Sequence, residues 1–240
     1  MTVINTNSRS LCPKINSLLD CFEELKGDVA VVTETWLADG EGLEEDADDL
    51  VQCADLGMLY ENRAVNSKGV AHGGVAIFFK KSKLELKAFR MHNPEKFEII
   101  PSVGRITGLK RKLVVIACYI PPNYTVPRGK AALEHIANCI IQAKRKYDDP
   151  MLVITGDFNQ WGVHETMADF VDIKEVPVGP TRGDRCIDRL FQNFNHHVTG
   201  TTSPLETDDG SKKSDHRVVF ASSSIPVSYT HLTLPTIYSV

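Results

Sequence analysis

The sequence lacks the features that mark membrane and secreted proteins. Its 240 residues contain no apolar run of the roughly 18 residues that a membrane-spanning helix needs. The first ten residues, MTVINTNSRS, are polar and include no apolar core of a signal peptide. We therefore expect an intracellular protein that is not secreted and does not bind a membrane.

The cysteines are scattered, and the chain has no excess of positive charge. None of the six cysteines forms a CxxC pair, which argues against a structural zinc site and favours reduced, mostly buried thiols. The formal net charge of −4 excludes the global basic field that many nucleic-acid binders carry. A nucleic-acid partner would need a local basic patch or a metal ion.

The apolar residues that are present predict a layered α/β fold. Near-continuous apolar runs at 28–37, 73–79, 112–121 and 150–159 are typical of strands covered on both faces. Apolar spacings of three and four within 13–25 and 129–147 predict helices. The uneven alternation of the two patterns favours a layered α/β domain over a sandwich of strands alone or a helical bundle.

Two charged or irregular segments limit this domain. The acidic run 41–49 is typical of a solvated loop or the start of a helix. The segment 226–240 begins with a Pro and has no amphipathic period, and it resembles a translated cloning adapter. We expect one domain over 1–225, a non-native tail over 226–240, and a natural protein that continues further.

Polar residues cluster at the edges of the apolar segments. In VITGDFNQWG, Asp157 and Asn159 are two positions apart and so point to the same side of an extended segment. Each such residue alone has an ordinary explanation, such as a helix cap or a solvated side chain. Together they suit a site at strand ends. The further candidates are Asn7, Glu34, Tyr119, Asp188, Asp215 and His216.

These residue types fit metal-assisted phosphodiester hydrolysis. A hard cation such as Mg²⁺, with Mn²⁺ as an alternative, prefers oxygen ligands. Glu34 is the candidate ligand, with Asn7 and Asp215 nearby.

The remaining candidates suit the reaction itself. Asp157 is placed to activate or orient an attacking water. Asn159, His216 and Tyr119 are candidate donors to the phosphoryl oxygens. Asp188 is the candidate carboxylate that keeps His216 charged.

The motifs GDFN, SDH, TETWL and the Asn of NTNSRSL resemble those of the endonuclease/exonuclease/phosphatase (DNase I-like) superfamily, and they occur in its order. The resemblance covers about residues 1 to 222. It implies a four-layer sandwich of two packed mixed β-sheets flanked by helices. It also implies that the residues named above occupy the family's catalytic, metal and phosphate-contacting positions.

Further stretches resemble the endonuclease domain of non-LTR (LINE-type) retrotransposon proteins: NSRSL at 7–11, DVAVVTETWL at 28–37, GGVAIFF at 73–79 and YIPP at 119–122. This resemblance implies nicking of double-stranded DNA, whose 3′-hydroxyl then primes a reverse transcriptase expected downstream. It implies a monomeric domain that acts in the nucleus and cytoplasm.

Candidate substrate contacts follow from the same resemblance and from charge. Thr181 matches a polar position near the DNA phosphates, and Arg182 and Arg185 flank the expected site. Arg189, Lys212 and Lys213 are further candidates for this patch. The basic clusters at 110–112 and 144–146 are expected to decorate a solvated face.

Two alternatives stay open at this point. The first is another phosphoesterase of the same fold, acting on abasic DNA, RNA or a phosphorylated lipid or inositol. The second is a catalytically silent remnant of a decayed element. The fold alone does not separate these functions.

Overall fold

Two six-stranded sheets pack face to face in the computed structural model, which describes residues 1–37, 43–61 and 72–224. In spatial order, the first sheet contains β11 (Val198–Thr202), β12 (Val218–Ser222), β1 (Thr2–Asn7), β2 (Val29–Thr33), β4 (Val75–Lys80) and β3 (Leu56–Glu61). The second contains β5 (Leu84–Ala88), β6 (Glu98–Ile106), β7 (Lys112–Tyr119), β8 (Met151–Asp157), β10 (Asp188–Gln192) and β9 (Lys174–Glu175). The β1–β2 and β7–β8 pairs are parallel and the others antiparallel, so both sheets are mixed.

Helices cover the outer faces of the sheets. Within the described residues they are α1 (Ile15–Glu24), α2 (Glu45–Cys53), α3 (Val126–Lys146) and α4 (Val163–Ala168), with a 3-10 turn at Cys12–Lys14 before α1. One apolar cluster lies between the two sheets, one joins α1 and α2 to the first sheet, and one joins α3 and α4 to the second. The predicted four-layer α/β sandwich is confirmed.

The central strands are apolar on both faces because each face is covered. In β7, Leu113 and Val115 pack between the sheets, whereas Val114 and Ile116 pack towards α3, and all four are fully buried. This is the structural reason for the near-continuous apolar runs that predicted these strands.

The parallel pairs bring the strand ends that carry polar residues to the same edge. Helix α3 provides the crossover between β7 and β8, which a parallel pair requires. In register, Tyr119 of β7 pairs with Asp157 of β8, and Asn7 of β1 pairs with Thr33 of β2. Polar residues far apart in sequence therefore become neighbours.

Several elements agree with the sequence predictions and others were missed. The acidic run 41–49 does start a helix, at Glu45, although its first two residues lie outside the described residues. The edge strands β3 and β11 were not predicted, because they are short and only partly buried, and β11 (VTGTT) has almost no apolar period. The predicted tail, 226–240, lies outside the described residues.

Two further properties concern the whole of the described chain. No helix in the three described ranges is long and apolar enough to cross a membrane. The six cysteines all fall within these ranges and are free thiols. Burial raises the thiol pKa of Cys118 and Cys139.

Candidate active site

The predicted polar residues meet at one end of the sandwich, which we call the polar end. This end holds the last residues of β1, β7 and β8 and residues at or beside the ends of β2, β10 and β12. The residues in question are Asn7, Tyr119, Asp157, Glu34, Asp188 and His216. The opposite end, where β7 and β8 begin at Lys112 and Met151, is the far end.

Asp157 is the buried carboxylate at the centre of the polar end. Its Oδ2 accepts a hydrogen bond from Asn7 Nδ2 at 2.9 Å, and its Oδ1 accepts one from the Asn159 backbone N–H at 2.9 Å. The β8–β10 register places Asp188 directly opposite, so two carboxylates are neighbours. Burial, and then the charge of Asp188, raise the pKa of Asp157 to about 7. A carboxylate with such a pKa is suited to accept a proton near neutral pH.

Glu34 lies just beyond β2 and is less buried than Asp157. Its Oε1 accepts hydrogen bonds from Asn7 Nδ2 at 3.0 Å and from the Tyr119 hydroxyl at 3.1 Å. Its backbone has φ of 50°, in the left-handed region, and the Ser8 hydroxyl donates to its carbonyl at 3.1 Å. Such a conformation costs on the order of 1–3 kcal/mol in a non-glycine residue and is common at functional sites.

Tyr119 is held as a hydrogen-bond donor. Burial, and then the charge of Glu34, raise the pKa of its hydroxyl. In this structure the hydroxyl donates to Glu34, so Tyr119 orients that carboxylate. Its predicted contact with phosphate stays a prediction.

Two hydrogen bonds fix Asn159, one from its backbone and one from its side chain. Its N–H binds Asp157, and its Nδ2 donates to the Ile120 carbonyl at 3.0 Å. Its φ is 50°, a conformation that Asn tolerates better than most residues. One amide hydrogen of the side chain is left over, so a donor role towards substrate is compatible with the geometry.

His216 and Asp188 form the buried pair that the sequence predicted. His216 Nδ1 lies 2.7 Å from Asp188 Oδ2, and both side chains are almost fully buried. Burial alone would lower the pKa of His216, but the hydrogen bond and charge of Asp188 outweigh it and the pKa is raised. The ring is therefore biased towards its charged form, with Nε2 turned towards Asp215.

Asp215 does not contact Glu34. Its Oδ1 lies 3.2 Å from an Arg9 guanidinium nitrogen, and its Oδ2 lies 2.6 Å from one of Arg182. Burial raises its pKa, but the charges of His216, Arg182 and Arg9 outweigh burial and the pKa is lowered. The structure thus places Asp215 as a bridge between two arginines at the rim. Its role as a metal ligand stays a prediction.

Thr181 forms hydrogen bonds within the chain, and its predicted contact with the DNA phosphates stays a prediction. Its side chain is fully buried, and its hydroxyl oxygen accepts hydrogen bonds from the backbone N–H groups of Ile187 and Asp188, both at 3.1 Å. It therefore fixes the start of β10, and with it the Asp188 carboxylate, instead of facing solvent. A threonine hydroxyl caps local backbone groups in this way in many loops.

The arginines and lysines around the site divide into two groups. Arg182 and Arg185 are exposed on the turn beside the polar end, where a phosphate can reach them. Arg189 points away and pairs with Glu175 at 2.7 Å, because successive strand residues face opposite sides. Lys213 is paired with Glu206 at 2.5 Å. Arg182 is itself paired with Asp215 at 2.6 Å, and Lys212 is exposed. An ion pair at an exposed side chain does not exclude a phosphate contact, so the predicted contacts of these residues with DNA stay predictions.

Asn7 forms hydrogen bonds to two carboxylates of the site. Its Nδ2 donates to both Glu34 and Asp157, while its Oδ1 accepts the Arg9 backbone N–H at 3.1 Å. It therefore spaces the two carboxylates by hydrogen bonding. Its predicted role as a ligand stays a prediction.

The donor set of the polar end fits a hard divalent cation. Ligand atoms of Asp157, Asp188 and His216 lie within 4.8 Å of one another. However, His216 Nδ1 is engaged by Asp188, which leaves carboxylate oxygens as the principal donors. Glu34, which is only partly buried and whose Oε2 is not needed for the hydrogen bonds above, is the better placed ligand. Oxygen donors of this kind suit Mg²⁺ or Mn²⁺ and not a thiolate-binding metal.

Three residues of the site were missed by the sequence reasoning. Ser214 donates to the Asn7 carbonyl at 2.5 Å and accepts the His216 N–H at 3.1 Å, so it ties the SDH motif to β1. Arg9 supports Asp215, and Asn5 Nδ2 donates to the Gly156 carbonyl at 3.2 Å beneath Asp157. The adjacency of Ser214 to Asp215 and His216 was a signal in the sequence, whereas no pattern marked Asn5.

Solved structures share this architecture along nearly the whole chain. An AP endonuclease from Archaeoglobus fulgidus matches with a TM-score of 0.65 and 13% identity, over 94% of this chain and 100% of that one. D. rerio TDP2, complexed with a single-strand DNA product, matches with a TM-score of 0.64 and 14% identity, over 92% and 97%. The endonuclease domain of TRAS1, a telomere-specific non-LTR retrotransposon, matches with a TM-score of 0.57 and 14% identity, over 92% and 96%.

Similarities at this level of identity establish a DNase I-like fold. No curated protein sequence matches the chain. The model of the Endonuclease/Exonuclease/phosphatase family matches residues 3–216. The chain belongs to this family, and it is accordingly a phosphoesterase of that superfamily.

Proposed function

We propose that the chain is a Mg²⁺-dependent endonuclease that nicks double-stranded DNA, as the endonuclease domain of a non-LTR retrotransposon protein. The motifs NSRSL, TETWL, GDFN and SDH support this substrate class. The shared fold of the TRAS1 endonuclease domain is compatible with it.

One observation carries the proposal: the buried Asp157 carboxylate lies beside the His216–Asp188 pair. Asp157 has no Lys or Arg partner in the described chain, and both of its oxygens accept hydrogen bonds. A ring nitrogen of His216 lies within 4.8 Å of an Asp157 carboxylate oxygen, and the raised pKa biases the ring towards its charged form. The attack of water on a phosphodiester requires a group that accepts the water proton and a donor that stabilises the charge on the phosphoryl oxygens. Asp157 and His216 provide this combination in one site.

The residues divide the reaction as follows. Asp157 orients a water and takes its proton as the water oxygen bonds to phosphorus. His216 donates to a phosphoryl oxygen as negative charge builds there, and Asp188 holds the ring. Asn159 adds a second donor. The bond from phosphorus to the 3′ oxygen breaks, that oxygen takes up a proton from solvent water, and the nick carries a 5′-phosphate and a 3′-hydroxyl.

Glu34 would hold the metal, with Asn7 keeping its carboxylate at a fixed distance from Asp157. The ion would neutralise negative charge on phosphate oxygens. Arg182 and Arg185, exposed beside the site, would contact the DNA backbone.

Nicking of a supercoiled plasmid tests the proposal. We expect relaxation of the plasmid with Mg²⁺ and none with EDTA. We also expect the nick to be extended by a DNA polymerase without further processing, because extension requires a 3′-hydroxyl. Asp157→Asn should abolish nicking, whereas the matched control Asp148→Asn, at an exposed position far from the site, should not.

The same preparation separates the alternatives. Cleavage of an abasic duplex, an RNA or an inositol phosphate, with intact plasmid left untouched, would identify another phosphoesterase. Nicking that persists undiminished in excess EDTA would contradict the metal assignment. Inactivity on every substrate by a folded protein would indicate a silent remnant.

A further inference from the structure

A basic groove lies at the far end of the sandwich, away from the polar end. Two adjoining cavities of 300 Å³ and 390 Å³ share Lys112 and Tyr147 in their walls. Lys112 and Tyr119 are the two ends of β7, so the groove is about 23 Å from the polar end at the usual rise per strand residue. We call it the far-end groove.

The groove exists because the second sheet is only partly covered. In β5, Leu84 and Leu86 pack between the sheets, so Glu85 and Lys87 project from the outer face. Arg105 of β6 pairs in register with Glu85 on one side and with Lys112 of β7 on the other. Helix α3 ends at Lys146, so these strand residues border its last turn.

The charge of the groove is opposite to that of the chain. Six basic side chains line it: Lys87, Arg105, Lys110, Arg111, Lys112 and Lys146. The acidic residues are Glu85, Asp148 and Asp149, and two of them are already paired, Glu85 with Lys87 at 2.6 Å and Asp149 with Arg111 at 3.1 Å. The lining therefore has a net charge of +3 in a chain of net charge −4.

Local stabilisation does not account for this charge. The dipole of α3 explains basic residues in its last turn, such as Lys146. Arg105, Lys110 and Lys112 are not on a helix, and none of them forms an ion pair with any residue in the described ranges. Glu85 lies opposite Arg105 in register and attracts both Arg105 and Lys112, but it is already paired with Lys87. The excess of three positive charges in the lining remains, and an anionic partner would offset it.

Tyr147 adds an aromatic surface to the groove. Its ring is only partly buried, packs at an angle on Phe89 with centroids 6.5 Å apart, and has Lys146 Nζ 5.6 Å from its centroid. A cationic groove with an anchored aromatic ring is how proteins hold single-stranded nucleic acid, with phosphates on the cations and a base on the ring. A duplex keeps its bases stacked inside and offers none to Tyr147.

We infer that the far-end groove binds a single-stranded nucleic acid, DNA or RNA, through its phosphodiester backbone and one unpaired base. This inference is independent of the hydrolysis at the polar end. It would let the chain hold one strand while a second nucleic acid lies at the other end.

Binding of labelled oligo(dT) and oligo(U) of about 12 nucleotides, a length within known single-strand site sizes, tests this inference. Fluorescence anisotropy is measured in EDTA on the full chain, so that no cleavage occurs. Arg105→Gln/Lys112→Gln should weaken binding about 10-fold and reduce the slope of log K against log salt by about 1.4, for two lost phosphate contacts. Tyr147→Leu, which keeps an apolar side chain, should weaken it about fivefold through the lost stack.

The matched control is Lys130→Gln/Lys174→Gln, which removes two exposed charges outside the groove. It should bind as the unaltered chain does, and all variants should keep their thermal midpoint and their plasmid nicking rate. A preference for dT or for U would identify the natural strand, and either supports the inference. Equal affinities of the groove variant and the control variant would overturn it. Binding of poly-glutamate as tight as that of the oligonucleotides, unaffected by Tyr147→Leu, would overturn it in favour of an acidic protein partner.

Discussion

Each end of the sandwich contains a buried aspartate, and the two aspartates differ in the charge of their neighbours. At the far end, Asp28 accepts the Thr2 backbone N–H at 2.7 Å, lies 2.6 Å from Lys83 Nζ and lies 3.8 Å from the amino terminus. At the polar end, Asp157 receives hydrogen bonds from amides only and lies opposite Asp188. The far end pairs its buried acid with cations, whereas the polar end places like charges together.

This difference separates what stabilises the fold from what supports chemistry. Like charges in a buried place reduce stability, so their persistence at one end points to function. Asp28, which is paired with cations away from the polar end, is expected to stabilise the fold without taking part in the reaction. Changes at the two ends should therefore move activity and stability in different directions.

The largest effect is expected for Asp157→Asn. The general base would be lost while the shape and the hydrogen bond from Asn7 are nearly kept, so the nicking rate should fall on the order of 10²- to 10⁴-fold. Initial rates on plasmid, normalised to folded protein, measure this. A rate within the error of the unaltered chain would show that Asp157 is not the proton acceptor.

The same variant should be more stable at neutral pH. An unfolded Asp has a pKa of about 3.9, whereas the pKa of folded Asp157 is raised to about 7. The folded state thus binds this proton more tightly, and its stability falls as pH rises from about 4 to 7 and stays lower above that. In EDTA, the thermal midpoint of Asp157→Asn relative to the unaltered chain should increase from pH 5 to pH 8.

The His216–Asp188 pair should act as one unit. His216→Ala and Asp188→Asn should each lower the rate on the order of 10²- to 10³-fold, the scale for one lost transition-state donor. The double variant should be little slower than the slower single variant, since residues that act together are not additive. Multiplicative losses would contradict the coupled pair and show that His216 acts on the phosphate independently of Asp188. An Asp188→Asn variant that melts earlier at an unchanged rate would make Asp188 a purely structural residue.

Glu34 should control the metal and Asn159 should not. Glu34→Ala should weaken Mg²⁺ or Mn²⁺ binding by about 10- to 100-fold, the range for disturbing a metal site, while Asn159→Ala should leave it nearly intact. Calorimetric titration of the metal into protein without DNA measures this apart from activity. Equal losses in both variants would show that the ion is not held by Glu34 specifically.

Asp28→Asn is the far-end counterpart of Asp157→Asn. It would remove the buried negative charge that faces the half-exposed Lys83 and the amino terminus and that accepts the Thr2 N–H. Since a hydrogen bond to a charged group contributes about 1.5–3 kcal/mol and 1 kcal/mol shifts the midpoint by roughly 2–4 °C in a domain of this size, the midpoint should fall by several degrees. The nicking rate per folded molecule should not change. A rate loss would show that the ends are coupled.

The sequence predicted the layers and most of the polar end, for a physical reason. Strands buried on both faces have near-continuous apolar sequences, which are easy to recognise. A polar residue that interrupts such a sequence costs free energy to bury, so it suggests a specific role. Asp157, Asp188 and His216 stood out in this way, and the last two do form a contact.

What the sequence could not predict depends on backbone direction. One turn decides whether Thr181 faces solvent or the N–H groups of β10, and the same turn brings Arg182 to Asp215. The far-end groove arises from strands β5 to β7 meeting the end of α3, which are separate in sequence. Local sequence patterns do not predict contacts between elements that are distant in sequence.

The smallest effect is expected for the segment 226–240. We propose that the domain ends near residue 225 and that 226–240 adds nothing to it. Strand β12 ends at Ser222, where it pairs with Thr2, and Ser223 exchanges hydrogen bonds with Met1 at 2.6 and 2.8 Å. The last strand of the first sheet is thus complete before residue 227. Deleting 227–240 should leave the thermal midpoint and the nicking rate unchanged, whereas deleting from 222 should lower the midpoint, because it removes the contacts with Met1 and Thr2. If the shorter deletion costs several degrees, more than about 1 kcal/mol of packing lies in the segment, and the domain limit must move towards residue 240.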